Sequence, residues 1–259
     1  MVKRLNFEIR DRVAFLTLNR PEKRNAIDDV TVDELDEYFG QATANEEVRA
    51  VVFRGEGSAF SAGADLDYLQ RLSQNTTAAN FEDSSMLKNL LLRIYRSRKL
   101  TCAVVRGPAL AGGFGLALAC DVVIASENAK FGFTEVKIGF VPAIVLNFAL
   151  RKLRESDVRE LVLTGKIIDA SSALRIGLFS QIVPDNDIES YTQRFLKEFI
   201  SGTSAGAVSL TKEILSEVRE MRLEEALKYS TAMNTAARST EDFQKGVKSF
   251  LNKEKLEWQ

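Results

Sequence analysis

The chain contains no histidine among its 259 residues. That excludes Ser–His–Asp and Cys–His catalysis, an HExxH zinc site and any imidazole base. Acid–base chemistry must then fall to carboxylates, lysine, tyrosine or bound water. Cysteine is nearly as scarce. Cys102 and Cys120 each sit in apolar surroundings, Leu100-Thr-Cys-Ala-Val-Val and Leu118-Ala-Cys-Asp-Val-Val. They read as buried free thiols in a reducing compartment rather than a disulfide, and they are too few for structural zinc, so no metal is expected. Only four prolines and no low-complexity stretch are present, so no linker is evident. Charge of one sign is also missing: 35 Lys and Arg balance 36 Asp and Glu, a net charge of −1. Nothing global draws the chain to nucleic acid or an anionic membrane. No long apolar run follows Met1-Val-Lys-Arg-Leu-Asn-Phe-Glu, so neither a signal peptide nor a membrane span is expected, and the cytoplasm is the expected location.

What is present is an ordinary globular composition, 45% hydrophobic and 27% charged, in a chain long enough to bury a substantial core. Phe7–Arg10 and Val13–Leu18 alternate as two strands, and Arg20-Pro-Glu-Lys-Arg-Asn25 reads as a charged turn. Thr31-Val-Asp-Glu34 has the form of a capping box, with Val32, Leu35, Phe39 and Ala42 on one helical face behind it. Further strands are expected at Val48–Phe53, Cys102–Arg106 and Val122–Ala125, with helices at Met86–Arg96 and Leu116–Ala119. Beyond Ile144 the pattern is mainly helical. The expected class is α/β, a mixed front and a helical tail.

Two loops of small residues follow strands and open into helices: Ser61-Ala-Gly-Ala-Asp65 and Ala111-Gly-Gly-Phe114. Small residues let another group approach the backbone, and free N–H groups at a helix start favour negative charge. Facing each other, the loops could hold one developing oxyanion; separately, each could be a tight turn and no more. Neither fits a GxxxxGK[ST] or GxGxxG phosphate loop, and Ser61 stands outside any GxSxG elbow.

Together with Asn19-Arg-Pro-Glu-Lys-Arg-Asn-Ala26, Phe60-Ser-Ala-Gly-Ala-Asp-Leu66, Gly107-Pro-Ala-Leu-Ala-Gly-Gly113, Ala119-Cys-Asp121, Phe131-Gly and Glu135-Val-Lys-Ile-Gly139, these loops resemble the enoyl-CoA hydratase/isomerase (crotonase) family. The order and spacing match from about residue 5 to residue 252. The resemblance implies a core spiral of ββα units over 1–200, with a helical C-terminal region over 201–259 that supports a homotrimer or a dimer of trimers. It implies an acyl-CoA substrate, with coenzyme A entering only as part of the thioester and no separate cofactor. Backbone N–H groups of Ala64 and Gly112 would hold the thioester oxygen, and Glu135 would move protons. Lys23, Arg24, Ala26, Ala62, Gly63, Asp65, Gly113, Gly115 and Phe140 are the candidate substrate-binding positions, with Lys253 as a phosphate contact from a neighbouring subunit. Asp65 and Asp121 are expected to cap or pack their loops. No nucleic-acid or membrane partner is implied.

The chain also departs from the pattern. The family's second hydratase glutamate should fall at position 115, where Gly115 stands. Some relatives acting on branched or glutaconyl-type thioesters share that glycine and the Val141-Pro-Ala143 continuation. The reading is therefore an acyl-CoA hydratase or dehydratase for a branched, methylglutaconyl-like substrate. The alternatives are a Δ3–Δ2 enoyl-CoA isomerase using Glu135 alone, a thioester decarboxylase and a non-catalytic binding subunit. Phe131, Phe133, Val136 and Phe140 flank Glu135 in sequence, and their crowding would raise its pKa. Asp67 stands where many members carry a basic residue, and reads as solvated. Arg151, Lys152 and Arg154 could meet a substrate carboxylate, but read as a solvated basic helix end.

Overall fold

The chain starts with a hairpin turned by two residues that are not glycine. Asp11 and Arg12 hold φ of 49° and 64°, the left-handed pair that matches the twist of a two-residue turn. A computed structural model describes residues 3–258; Met1 and Val2, where the expectation of no leader begins, lie outside it, as does Gln259.

In chain order the first half comprises β1 (Leu5–Arg10), β2 (Val13–Leu18), α1 (Asp29–Ala44), β3 (Ala50–Gly55), α2 (Leu66–Leu72) and α3 (Thr77–Tyr95). The centre adds β4 (Leu100–Val105), β5 (Pro108–Leu110), α4 (Gly112–Ala119), β6 (Val122–Ser126), β7 (Lys130–Gly132) and α5 (Val145–Lys152). Then come α6 (Glu155–Thr164), β8 (Ile167–Asp169), α7 (Ala170–Arg175), β9 (Ile182–Val183) and α8 (Ile188–Gly202). Three helices close the chain: α9 (Ala205–Glu217), α10 (Leu223–Arg238) and α11 (Glu241–Leu251).

Two sheets organise these elements. The larger has the order β1-β2-β3-β4-β6-β9, parallel from β2 onward; the smaller has the order β5-β7-β8. A strand of the large sheet, a short strand of the small one and a helix recur as a unit, seen in β4-β5-α4. This is the expected ββα repeat. Every residue of β2 and β4 is buried, as parallel strands covered on both faces require. The side chains of β2, β3 and β4 alternate between two cores. Leu16, Phe53, Ala103 and Val105 face α1, α3 and α4, while Phe15, Val52, Cys102 and Val104 face Leu196 of α8.

Several boundaries differ from the sequence expectation. Asp28, not Thr31, caps α1, accepting from the Thr31 N–H at 2.9 Å. Glu34 accepts instead from the N–H groups of Arg4 and Leu5, both at 2.9 Å, and so fastens α1 to β1. Helix α3 begins nine residues before Met86, capped by Thr76. The three strands of the small sheet were not anticipated; at three residues each they are too short to show alternation. Among the described residues no helix is long and apolar enough to cross a membrane.

Candidate active site

Strands β5 and β7 run parallel, with Leu110 paired to Gly132, so the chain leaves both at the same edge. Out of β5 comes the loop that starts α4; out of β7 comes the segment carrying Glu135. The register of two three-residue strands therefore sets the helix start beside the acid.

The other small-residue loop, Ser61–Asp65, is laced into this edge by its backbone. Ser61 O accepts the Leu110 N–H at 2.9 Å, and the Ser61 N–H donates to Pro108 O at 3.1 Å. On its other side the Ala62 N–H reaches Arg24 O at 2.9 Å, and the Ile27 N–H reaches Gly63 O at 2.7 Å. Gly63 holds φ +90°, and a Cβ there would lie 2.7 Å from Ala111 Cβ and 3.5 Å from Gly112 N. Glycine at 63 is what lets the loops close on each other.

Two donors remain unused where the loops meet. Among the described residues neither the Ala64 N–H nor the Gly112 N–H has a hydrogen-bond acceptor. Each residue is half-buried between buried neighbours, and no atom lies within 4 Å of where a Gly112 Cβ would stand. Gly112 is the first residue of α4, so its N–H carries the helix's partial positive charge. The preceding Ala111 holds φ 47° and ψ −121°, a strained conformation that persists only where the surroundings enforce it. Its own N–H is fixed to Gly132 O at 2.8 Å.

Glu135 opens a short 3-10 turn, Glu135–Ile138, ended by Gly139 at φ 74°. It is 8% exposed, and its Oε2 is buried with no hydrogen-bond partner. Burial pushes its carboxyl above the ordinary carboxylate range, and its own backbone N–H offsets only part of that. Phe131 and Phe133, fully buried, pack tilted against Phe114 of α4 with ring centroids at 5.3 and 4.8 Å. Val136 is half-buried, whereas Phe140 is 51% exposed and does not enclose the acid, contrary to expectation.

Gly115 has a close neighbour. A Cβ at 115 would lie 2.1 Å from Cγ1 of Val145, the first residue of α5, which is itself buried. The space in which a second carboxylate would begin is filled by an apolar side chain from 30 residues downstream. Gly115 is therefore packed tightly against α5. Gly113 is closed as well, since a Cβ there would meet Ser61 at 2.5 Å.

The Asp65 side chain is fully engaged within the protein. Its carboxylate accepts from Arg20 Nη2 at 2.9 Å and from the Asp67 and Tyr68 N–H groups at 2.9 and 3.3 Å, capping α2 as expected of a loop-packing acid. Burial raises its pKa, but the Arg20 guanidinium and the two N–H donors outweigh burial and hold it below the ordinary value. Arg20 was not anticipated. The charged turn is there, with residues 21–24 exposed, but Arg20 at its start is a buried brace: it is 7% exposed and also donates to Ala26 O at 2.8 Å and to Asp28 at 3.0 Å. Asn25 accepts the Arg20 N–H at 2.9 Å and donates to Ala59 O at 2.8 Å.

The remaining candidates lie around this brace or away from it. Ala26 is buried, Ala62 half-buried and Arg24 exposed, and Lys23 pairs with Asp67 at 2.6 Å, so Asp67 is exposed but not merely solvated. Asp121 accepts from Thr101 and Lys212, the packing role expected of it. Lys253 is exposed past α11, and among the described residues its side chain forms no hydrogen bond or ion pair. Arg151 pairs with Glu220 and Arg154 with Asp157, while Lys152 turns inward to the Cys120 carbonyl rather than into solvent.

The model of the family described as enoyl-CoA hydratase/isomerase matches residues 8–259 of this sequence. The chain belongs to that family. Within the enoyl-CoA hydratase/isomerase family, a Thermus thermophilus protein assigned as an enoyl-CoA hydratase is 38% identical over 241 residues, covering 93% of this chain and 95% of its own. The 2,3-dehydroadipyl-CoA hydratase of Escherichia coli K12 is 32% identical over 243 residues, 93% of each chain. The crystal structure of an enoyl-CoA hydratase from Mycobacterium smegmatis superposes with a TM-score of 0.93 at 26% identity, covering 98% of both chains. The two-sheet spiral described above is the crotonase fold of this enoyl-CoA hydratase/isomerase family.

Proposed function

We propose that the chain hydrates or dehydrates an acyl-CoA through a thioester enolate. The observation that carries this is a buried, unpartnered Glu135 at the same strand edge as two free N–H donors. In the dehydrating direction Glu135 takes the Cα proton, and the electron pair moves onto the thioester oxygen between the Ala64 and Gly112 N–H groups. Collapse of that enolate forms the Cα–Cβ double bond and expels the Cβ hydroxyl, which leaves as water with the proton from Glu135. Preorganised donors act on charge that appears only in the transition state, and one such donor is worth roughly 3 kcal/mol. The acyl-CoA lies along the Lys23–Ala26 and Ala62–Ala64 backbones, coenzyme A being part of the substrate.

The substrate is a branched acyl-CoA with a second carboxylate, of the methylglutaconyl type. Val145 occupies the space where a second acid at position 115 would begin, so no water is held between two carboxylates there, which suits a branched substrate. The name of the E. coli relative likewise specifies a thioester of a dicarboxylic acid. One observation favours a second reading, Δ3–Δ2 isomerisation: a single carboxylate suffices to carry a proton from Cα to Cγ. Leu223, Leu227, Phe243, Val247 and Phe250 stand exposed on α10 and α11, which supports a homotrimer or a dimer of trimers.

Turnover of crotonyl-CoA, a 3-enoyl-CoA, 3-methylglutaconyl-CoA and 3-hydroxy-3-methylglutaryl-CoA in deuterated water, followed by mass, tests this. Water gained or lost on the branched substrates is expected. Double-bond migration without that change would establish the isomerase instead, and no binding or turnover of any thioester would establish a non-catalytic subunit.

A further inference from the structure

Behind the oxyanion donors lies a charge cluster that the reaction as written does not use. Helix α4 has eight residues, so its ends stand about 12 Å apart. At its start is the free Gly112 N–H. At its far end two ammonium groups arrive from two other helices. Lys152, the last residue of α5, donates to the Cys120 carbonyl and lies 3.5 Å from that of Asp121. Lys212 of α9, 8% exposed, donates to Lys99 O at 2.8 Å and to the Asp121 carboxylate. The same carboxylate oxygen accepts the Thr101 N–H at 2.7 Å and its hydroxyl at 2.8 Å.

Two cations therefore share one acid. The other titratable neighbours, the Cys102 and Cys120 thiols, are pushed up by burial and stay neutral. Among the described residues Lys152 forms no ion pair, so its charge needs another source of negative potential. The Cys120 carbonyl, at the C-cap just past α4, supplies it together with the partial negative charge that a helix carries at its C-terminal end. The helix itself, Gly-Gly-Phe-Gly-Leu-Ala-Leu-Ala, has no polar side chain along its length and no side-chain cap at its start. Apolar packing of Phe114 on Phe131 and Phe133 and of Gly115 on Val145 seats it sideways, and the only polar holds on it are at its ends.

We propose that Lys152 and Lys212 are positioning residues for the oxyanion hole, locking the carbonyl end of α4 and so holding the Gly112 N–H on the thioester oxygen. This rests on the oxyanion-hole reading above. With Asp121 offsetting one of the two ammonium groups, the remaining positive charge adds to the helix dipole with the same sign and also favours negative charge at the helix start. Through Lys212, the hole is coupled to the seating of α9 and the helices behind it.

The test uses the full-length protein and butyryl-CoA labelled with carbon-13 at the thioester carbonyl, read by infrared difference spectroscopy. In the unaltered protein the bound carbonyl band is expected below its free frequency. Lys152→Met and Lys212→Met should each move the band back towards the free value and lower kcat about tenfold, with KM changed by no more than about twofold. Lys152→Arg should restore most of both. Variants that melt at lower temperature yet keep the band and kcat overturn the proposal, leaving a purely structural clasp. If neither Met variant folds, the unaltered protein still decides. Burial lowers the pKa of both lysines, Asp121 partly restoring it, so rising pH should discharge them and relax the band. A band that stays fixed through pH ~10.5, where even an ordinary lysine is about half discharged, overturns the proposal. A carbonyl unshifted on binding at any pH overturns the oxyanion reading itself, an outcome distinct from the others.

Discussion

Asp65 and Glu135 are both buried acids, 5% and 8% exposed, one on each of the two sides from which the chain closes around the proposed thioester site. Their surroundings are opposite. Asp65 is saturated: a guanidinium and two backbone N–H groups occupy its oxygens, and its pKa is held down. Glu135 has an orphaned oxygen, no cation within reach of an ion pair among the described residues, and a pKa pushed up by burial. An acid whose lone pairs are all used stabilises structure and has little capacity to exchange protons. An acid left unsatisfied costs stability and can exchange protons near neutrality. The contrast separates scaffold from chemistry more sharply than burial does.

The comparison predicts different losses when each acid is touched. Glu135→Gln should lower turnover of whichever acyl-CoA is the substrate by about a thousandfold while the protein stays folded. Retained turnover would break the assignment. Removing the partner of the satisfied acid should act on stability instead. Arg20→Met leaves Asp65 without an ion pair and Asp28 with Arg4 as its one cation, both still buried, and should cost about 3 kcal/mol in denaturant unfolding. Its residual activity below the melting temperature should fall far less than that of Glu135→Gln.

A smaller effect tests why Glu135 acts without a second acid. Gly115→Ala forces a methyl group into the Val145 side chain, and should cost about 2 kcal/mol. Val145→Ala on the same chain should recover part of that loss. Additive costs in the double variant would mean that α5 does not press on position 115.

Which of these features the sequence could reveal depended on the range of their causes. Strands β1 and β2 and the buried stripe of α1 follow from alternation and helical spacing within a few residues. The first half of α3 did not, because its buried residues are Leu90, Leu91 and Ile94, and earlier turns are solvated without periodicity. Glu135, Ala64 and Gly112 were named through a motif resemblance, and the folded chain adds that both donors are free and that Oε2 is unpartnered. Arg20 gave no local signal, since its burial depends on Asp65, 45 residues away. Val145 was equally hidden. The glycine at 115 announced a missing acid, but only packing between α4 and α5 shows what took the space.

The smallest effect is also the one that puts the two acids on a single measurement, the pH dependence of melting. The folded pKa of Glu135 is raised above its unfolded value, so the native state holds that proton more tightly. Below pH ~4 both states are protonated and no penalty exists. As pH rises through the folded value the buried carboxyl charges, and a constant cost remains above it. Gln never charges, so Glu135→Gln should melt higher than the unaltered protein at pH ~8, with the gap closing towards pH ~4. Asp65 has the opposite sign. Its folded pKa is lowered, so its contribution is present above its unfolded pKa and is lost as pH falls through the folded one. Asp65→Asn should therefore melt lower at neutrality and converge with the unaltered protein in acid. Calorimetric melting of the three proteins across that range checks both signs. A Glu135→Gln protein that melts lower at pH ~8 would mean that Glu135 is paired in solution, and the distinction between the two acids would fall.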